Sequence, residues 1–339
     1  MIDIKSMNKS ELAEFIKNNS AEINNELRTQ AREVRDSVFG DLVYLRGLIE
    51  ISSYCKNNCY YCGISSGNKN ADRYRLTEDQ ILSCCETGRT LGFSTFVLQG
   101  GEDPGISDIE VCRLVSKIKD KYPECAVTLS FGEKSKEVYK DYFSAGTDRY
   151  LLRHETADED HYKKLHPSDM SLSARKQCLY TLKDIGFQVG AGFMVGSPFQ
   201  TPQTLAEDLL FLKDLYPHMV GIGPFIPHKD TKFRDHSQGS LAFTLNMISM
   251  VRILIPDALM PATTALGSID DNGRELGLQH GANVVMPNLS PVAVRAKYAL
   301  YDGKICVNEE ASECIHCLRR RVKNAGFVLD MSRGDHPSK

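Results

Sequence analysis

Net charge, long apolar runs and an export pattern are all scarce in this sequence, and each scarcity narrows what the protein can do. Against 44 Asp and Glu stand 41 Lys and Arg, a formal charge of -3, so nothing recommends a nucleic acid or an acidic membrane as partner. No uninterrupted apolar run is long enough to span a bilayer, and Met1-Ile-Asp-Ile-Lys-Ser6 lacks the basic-then-apolar pattern of a secretory signal. A soluble, cytoplasmic protein is the expectation. The 11 cysteines are an odd number and do not lie in a disulfide framework, which points to a reducing compartment. A content of 42% hydrophobic and 25% charged residues excludes disorder and fibrous repeats, and 339 residues suffice for two average domains or one large barrel.

What is present begins with Cys55-Lys-Asn-Asn-Cys59-Tyr-Tyr-Cys62, directly after an apolar, strand-like run ending near Ile51. The C-x3-C-x2-C spacing suits three thiolates on one 4Fe-4S cube, in which each iron wants one external ligand. One iron is then left without a protein ligand and can chelate a substrate or cofactor. The alternative is a structural zinc site, but zinc modules pair C-x2-C units with a second pair or with histidines, and no such complement lies nearby.

Around this loop the texture alternates. From Asn8 to about Val38, Leu12, Phe15 and Ile16 and then Ile23, Leu27, Ala31 and Val34 recur at helical spacing, with Asn8 and Glu11 as a capping pair. After Gly40, strands are predicted at 43–51, 94–98, 126–130, 149–153, 188–195, 219–222, 259–263 and 283–286. Each is followed by a helical pattern; Thr77/Gln80, Ser107/Glu110 and Thr201-Pro202 mark three of the helix starts, and the last helix runs from Val292 to about Leu300. Eight strand-helix units predict an α/β fold, a closed (β/α)8 TIM-type barrel. The division expected is a helical cap (1–40), the barrel (41–302) and a C-terminal segment (303–339); the runner-up is an open barrel of six units.

In such barrels chemistry gathers at the carboxyl ends of the strands. The second strand delivers Gly100-Gly101-Glu102-Asp103-Pro104, with exposed backbone beside carboxylates that can accept from an ammonium group, although Gly-Gly before Asp-Pro also reads as a plain turn. The third delivers Ser130-Phe-Gly-Glu133 and the fourth Arg153-His-Glu155, where a glutamate can accept from both hydroxyls of a ribose and an arginine can fork a carboxylate. Arg153 and Glu155, two apart, share a side and could equally pair with each other. Arg175 is a further carboxylate partner or else a solvated helix residue. Gly190, Gly192, Met194 and Gly196 make room near the interior, Thr263 and Thr264 offer two hydroxyls, and the eighth strand ends in Met286-Pro-Asn288.

A second cysteine group, Cys306, Cys314 and Cys317, follows Tyr301-Asp-Gly-Lys-Ile. It fits another incomplete iron-sulfur site, with zinc as the competitor, although His316 is awkwardly placed beside Cys317 for both to bind. The five other cysteines, on or beside helices, are most simply small apolar residues.

With these motifs laid out, the chain resembles the radical S-adenosylmethionine enzymes: their cysteine loop with an aromatic before its last cysteine matches Cys55, Cys59, Tyr61 and Cys62, and Gly100 to Pro104 resembles their segment for the methionine amino group. Within them it resembles the HydE family of FeFe-hydrogenase maturases, in the runs 149–156, 219–228, 261–265 and 281–288. The resemblance implies a 4Fe-4S cluster that binds S-adenosylmethionine, whose reductive cleavage yields a 5'-deoxyadenosyl radical. Tyr61, Gly100, Gly101, Glu102, Ser130 and Met194 would line the cofactor site, with Glu155 on the ribose and Arg175 on the methionine carboxylate. It further implies an organometallic iron substrate carrying carbon monoxide, cyanide and cysteine, supplied by a partner maturase. Arg153, Thr263 and Thr264 would hold that substrate and Tyr301 would sit close to the reacting atoms. Other hydrogenase maturases, an external electron donor, oxygen lability and an accessory 2Fe-2S or 4Fe-4S cluster at Cys306, Cys314 and Cys317 complete the expectation. The competing readings are a methylornithine-synthase-like lysine mutase, a biotin-synthase-like sulfur inserter and, from another class, an iron-sulfur carrier.

Overall fold

A computed structural model describes residues 2–18 and 20–338, with Ser312 and Cys314 limited to their backbone. Two helices come first, α1 (Lys9–Lys17), opened by the Asn8/Glu11 capping box, and α2 (Ala21–Phe39), capped by Ser20. The barrel starts with β1 (Leu42–Leu45) and β2 (Gly47–Ser52), then α3 (Glu78–Thr90), β3 (Thr95–Gly100), α4 (Asp108–Lys121), β4 (Ala126–Ser130), α5 (Lys136–Ser144) and β5 (Arg149–Leu151). Next come α6 (Glu159–Leu165), α7 (Leu172–Ile185), β6 (Gln188–Ala191), β7 (Met194–Val195), α8 (Pro202–Leu215), β8 (Met219–Val220), β9 (Gly223–Pro224) and α9 (Leu241–Leu254). The chain ends with α10 (Thr264–Ile269), α11 (Gly273–Gln279), β10 (Val284–Val285), α12 (Val292–Arg295), α13 (Ala311–Asn324) and β11 (Val328–Asp330). The side-chain signals at Thr77/Gln80, Ser107/Glu110 and Thr201 all form capping boxes, because each supplies an acceptor for an otherwise orphaned N–H of the first turn.

The wall is parallel, in the order β2-β3-β4-β5-β6-β8. Beyond β8 it continues through single bridges, Met219 to Leu259 and Pro261 to Val284, and β10 then pairs with β1 in the register Tyr44 to Val284. A last bridge joins Leu48 to Asn288, so eight strand positions close the ring and the open six-unit alternative falls away. All six residues of β2 and all four of β6 are buried, as expected of strands covered on both faces.

Several predicted elements differ. The first strand is two, broken at Arg46, and the fifth is two, broken at Gly192, whose φ of +153° and close approach to the Gly221 carbonyl leave no room for a Cβ. The seventh is reduced to its bridges, since Pro261 brings no N–H to a ladder. Helices α6 and α10 are additional, and α12 is a single turn that stops well short of Leu300. The cap packs outside the barrel, α1 against α8 and α2 against α9. Among the described residues no helix is long and apolar enough to cross a membrane.

The end of the barrel opposite the cysteine loop is closed by the chain after β11, which itself pairs with β1. The first residues of β3, β5 and β6 reach down to it. Thr95 Oγ1 donates to the Arg333 carbonyl at 2.8 Å, Arg149 bonds the same carbonyl at 2.7 Å and Asp335 at 2.6 Å, and Gln188 Nε2 meets Asp335 at 2.9 Å. Arg149 is fully buried, and removing it leaves the Arg333 carbonyl and the Thr95 hydroxyl short of a donor, while Asp335 keeps Arg333 and Gln188. Arg149→Leu is therefore expected to lower the unfolding free energy by about 2 kcal/mol in denaturant titration. Burial works against ionisation of Asp335, but Arg333, Gln188 and Arg149 outweigh it and hold the carboxyl below its usual range. Its contribution is thus fully present above about pH 4 and lost as pH falls through the lowered value.

Candidate active site

The three loop cysteines follow β2, and Arg73 holds their loop in shape. Its guanidinium donates to the carbonyls of Ser53, Ile64 (2.7 Å), Ser65 (2.7 Å) and Asn68 (3.1 Å). Backbone bonds from Lys56 to Glu102, from Tyr60 to Leu165 and from Gly63 to Leu300 fasten the loop to three neighbouring segments. Nothing in the sequence marked Arg73, since its partners are all carbonyls.

Cys55, Cys59 and Cys62 share a cavity of about 260 Å³ at the carboxyl end of the barrel strands. Burial pushes the Cys62 thiol up to about 12 and raises Cys59 and Cys55 as well. Such thiols keep their protons until a cation arrives to displace them, which suits a metal cluster better than free thiolate chemistry. Among the described residues no three His, Cys, Asp or Glu side chains converge as a single-ion site; the thiols instead line one wall of the shared cavity. Tyr61 donates to His166 Nε2 at 3.1 Å, because Nδ1 of that ring is engaged with the Tyr162 carbonyl; burial lowers His166 to about 3 and keeps it neutral.

Gly100, Gly101 and Glu102 line the cavity beside the cysteines. A Cβ on Gly101 would lie 2.2 Å from the Tyr54 carbonyl and 2.7 Å from Cys55 Cβ, so the two loops touch through bare backbone. Glu102 accepts from Glu133 N at 3.0 Å and pairs with Lys56 at 3.2 Å. Asp103 is taken up elsewhere, forked by Arg75 at 2.7 and 2.8 Å and bonded by Ser52 at 2.5 Å.

Arg153, Glu155, Arg175, Met194, Thr263 and Tyr301 line the same cavity. Arg153 Nη2 and Glu155 Oε2 are 3.0 Å apart, so these two do pair, yet neither atom has hydrogen-bond alignment. Arg175 lies 2.5 Å from Glu133 and donates to the Arg153 carbonyl at 3.2 Å. It is buried, not a solvated helix residue. With Thr263 Oγ1 also buried and without a hydrogen bond, the cavity holds, beside the thiols, members of two ion pairs whose charges face one another off hydrogen-bond alignment and a free hydroxyl. These residues fit an iron-sulfur cluster at the thiols and a polar, partly charged ligand such as S-adenosylmethionine beside it.

Two expected site residues are not in the lining. Ser130 ends β4, but the chain turns at Gly132 (φ +72°) and that glycine faces the cavity instead. Thr264 begins α10, and its helical turn brings Ala265 alongside Thr263 in its place. Tyr298 and Leu300 line the cavity too and were missed, because a helix was expected there; Tyr298 is fully buried with its hydroxyl 3.3 Å from Gln99. Burial raises Tyr301 to about 12. Cys306, at φ +61°, and Cys317 on α13 lie outside the cavity lining, and Arg274 Nη2 is 3.8 Å from Cys306 Sγ. The Cys314 side chain lies outside the described residues.

Comparison with known proteins follows the same lines. The Radical SAM superfamily model matches residues 49–212. The FeFe hydrogenase maturase subunit HydE of Thermotoga maritima is 44% identical over 96% of this chain and 92% of its own. The 3-methylornithine synthase of Methanosarcina barkeri is 30% identical over 89% and 84%. A crystal structure of methylornithine synthase superposes with a TM-score of 0.84 at 28% identity, covering 95% of this chain and 94% of that one.

Proposed function

Since the chain belongs to the radical SAM superfamily, and within it to the HydE family of FeFe-hydrogenase maturases, we propose that it is a radical S-adenosylmethionine enzyme that matures the di-iron site of a hydrogenase. The observation that carries this reading is the single cavity shared by the three loop thiols, Gly100-Gly101 and the Glu155/Arg175 wall. When bound, the cluster and S-adenosylmethionine supply a 5'-deoxyadenosyl radical by reductive cleavage. The chain's own residues do the rest: Cys55, Cys59 and Cys62 hold the cluster, and Gly101 gives its backbone to the methionine end beside Glu102. Glu155 accepts from the ribose, Arg175 pairs with the carboxylate, and Tyr61 and Met194 pack against the cofactor.

The finer part of the proposal concerns substrate and partners. An iron complex with carbon monoxide, cyanide and cysteine, delivered by another maturase, is anionic; Thr263 offers a hydroxyl without a hydrogen bond, and Arg153 a guanidinium paired with Glu155 off hydrogen-bond alignment that can turn to the anion. Tyr301 stands at the same face. An external donor supplies the electron, and Cys306, Cys314 and Cys317 hold an accessory iron-sulfur cluster. The higher identity and wider coverage of the HydE relative favour this over a lysine mutase. Incubated with the iron product of a partner maturase, the reduced protein is expected to consume it in step with S-adenosylmethionine. Methylornithine formed from lysine would move the assignment to the mutase.

A further inference from the structure

Between the two site residues Arg153 and Glu155 lies His154, fully buried and facing Asp208 of α8, which is fully buried as well. Neither belongs to the cavity lining. Glu155 itself has φ +66°, a left-handed conformation that side chains other than glycine rarely hold unaided. Its own N–H reaches the Gly192 carbonyl at 3.0 Å, and its carbonyl receives Met194 N at 3.3 Å. The flanks of the turn are held by side chains. His154 Nδ1 accepts from Gly192 N at 3.3 Å, which leaves the ring proton on Nε2; that nitrogen lies 3.3 Å from Asp208 Oδ1, in contact but without hydrogen-bond alignment. The same Oδ1 accepts from Ala157 N at 2.5 Å. One carboxylate oxygen thereby meets the residue before Glu155 and the residue two after it. Phe193 and Phe211 enclose the ring, with centroids 6.0 and 4.9 Å away.

Burial pushes the Asp208 carboxyl well up and the His154 ring well down, favouring the neutral form of each, and buried neutral polar groups add little stability because their desolvation offsets the bonds they make. Apolar residues would fill this space at no such cost. We infer that His154 and Asp208 are positioning residues, a clamp that fixes the turn at Glu155 and so aims its carboxylate at the ribose of the bound nucleoside. This inference rests on the assignment of Glu155 to the ribose.

The test compares equilibrium binding of S-adenosylmethionine and of its 2'-deoxyribose analogue to anaerobically reconstituted protein. The unsubstituted protein should prefer the ribose form by about ten-fold or more, the effect of a hydrogen bond to a charged group. Asp208→Ala should bring that preference to within about two-fold, whereas Asp208→Asn, which keeps a carbonyl oxygen at Oδ1, should retain it. If Asp208→Ala does not fold, His154→Leu, which preserves volume between the two phenyl rings, carries the same expectation as the alanine variant. A purely structural role would weaken both ligands alike and leave their ratio untouched; a preserved preference in Asp208→Ala, or one lost equally in Asp208→Asn, overturns the clamp. Absence of any preference in the unsubstituted protein would overturn instead the ribose assignment of Glu155.

Discussion

Cys59→Ala, reconstituted and reduced under anaerobic conditions, is expected to form 5'-deoxyadenosine at less than about a thousandth of the unsubstituted rate, a barrier increase of about 4 kcal/mol. The reason lies in ligand counting. With three thiols for four irons, one coordination position is already left for the nucleoside cofactor, and removing a thiol leaves two. Cys59 Sγ lies 3.9 Å from the Met170 thioether, a weak acceptor that does not replace a thiolate. Two controls separate this from general loss of cysteine. Cys112, half-buried on α4 and outside the cavity lining, should tolerate Cys112→Ser with activity within about two-fold, as expected of a substitution away from the site. Cys314→Ala should leave most of the cleavage intact, because Cys55, Cys59 and Cys62 alone supply the three thiolates the proposed cluster needs. Undiminished product from Cys59→Ala would sink the radical reading.

The second large effect discriminates between adjacent glycines. Gly101→Ala retains every thiol, yet its methyl group would collide with the Tyr54 carbonyl and with Cys55 Cβ. Both obstacles belong to the cysteine loop near its backbone, so the loop must move and Cys55 moves with it. A displacement approaching 1 Å at a reacting centre costs about a hundred-fold in rate, and iron bound per chain should fall along with 5'-deoxyadenosine formation. Gly100→Ala meets nothing nearer than 3.5 Å and should stay within about two-fold in both measurements, since that is ordinary van der Waals contact. Equal behaviour of the two variants would show that the loop is not held by backbone contact at Gly101.

That contrast marks the limit of what the sequence discloses. Gly100 and Gly101 look alike in the chain, because what distinguishes them is the approach of Tyr54 from another loop. The cysteine spacing, the capping boxes and the strand-helix alternation are local patterns, and the fold follows them closely from β2 to α9. The seventh strand lies where it was expected, at 259–263, but as bridges at Leu259 and Pro261 with hardly any ladder, which alternation in the sequence does not reveal. Ser130 does end its strand and Thr264 does follow the seventh, but whether a residue at a strand end faces the cavity depends on the turn after it, made here by Gly132 and by the start of α10. Arg73 and Asp208 were invisible for a different reason: each works through main-chain atoms or through a residue far away in the sequence.

The Arg149, Thr95 and Gln188 contacts with the tail have a bearing on traffic. Residues 333–336 are bonded across the end of the barrel away from the cysteine loop. The same buried contacts that stabilise the fold thus stand as a floor between solvent and the strand starts, and ligand traffic belongs to the face that carries the cysteine loop.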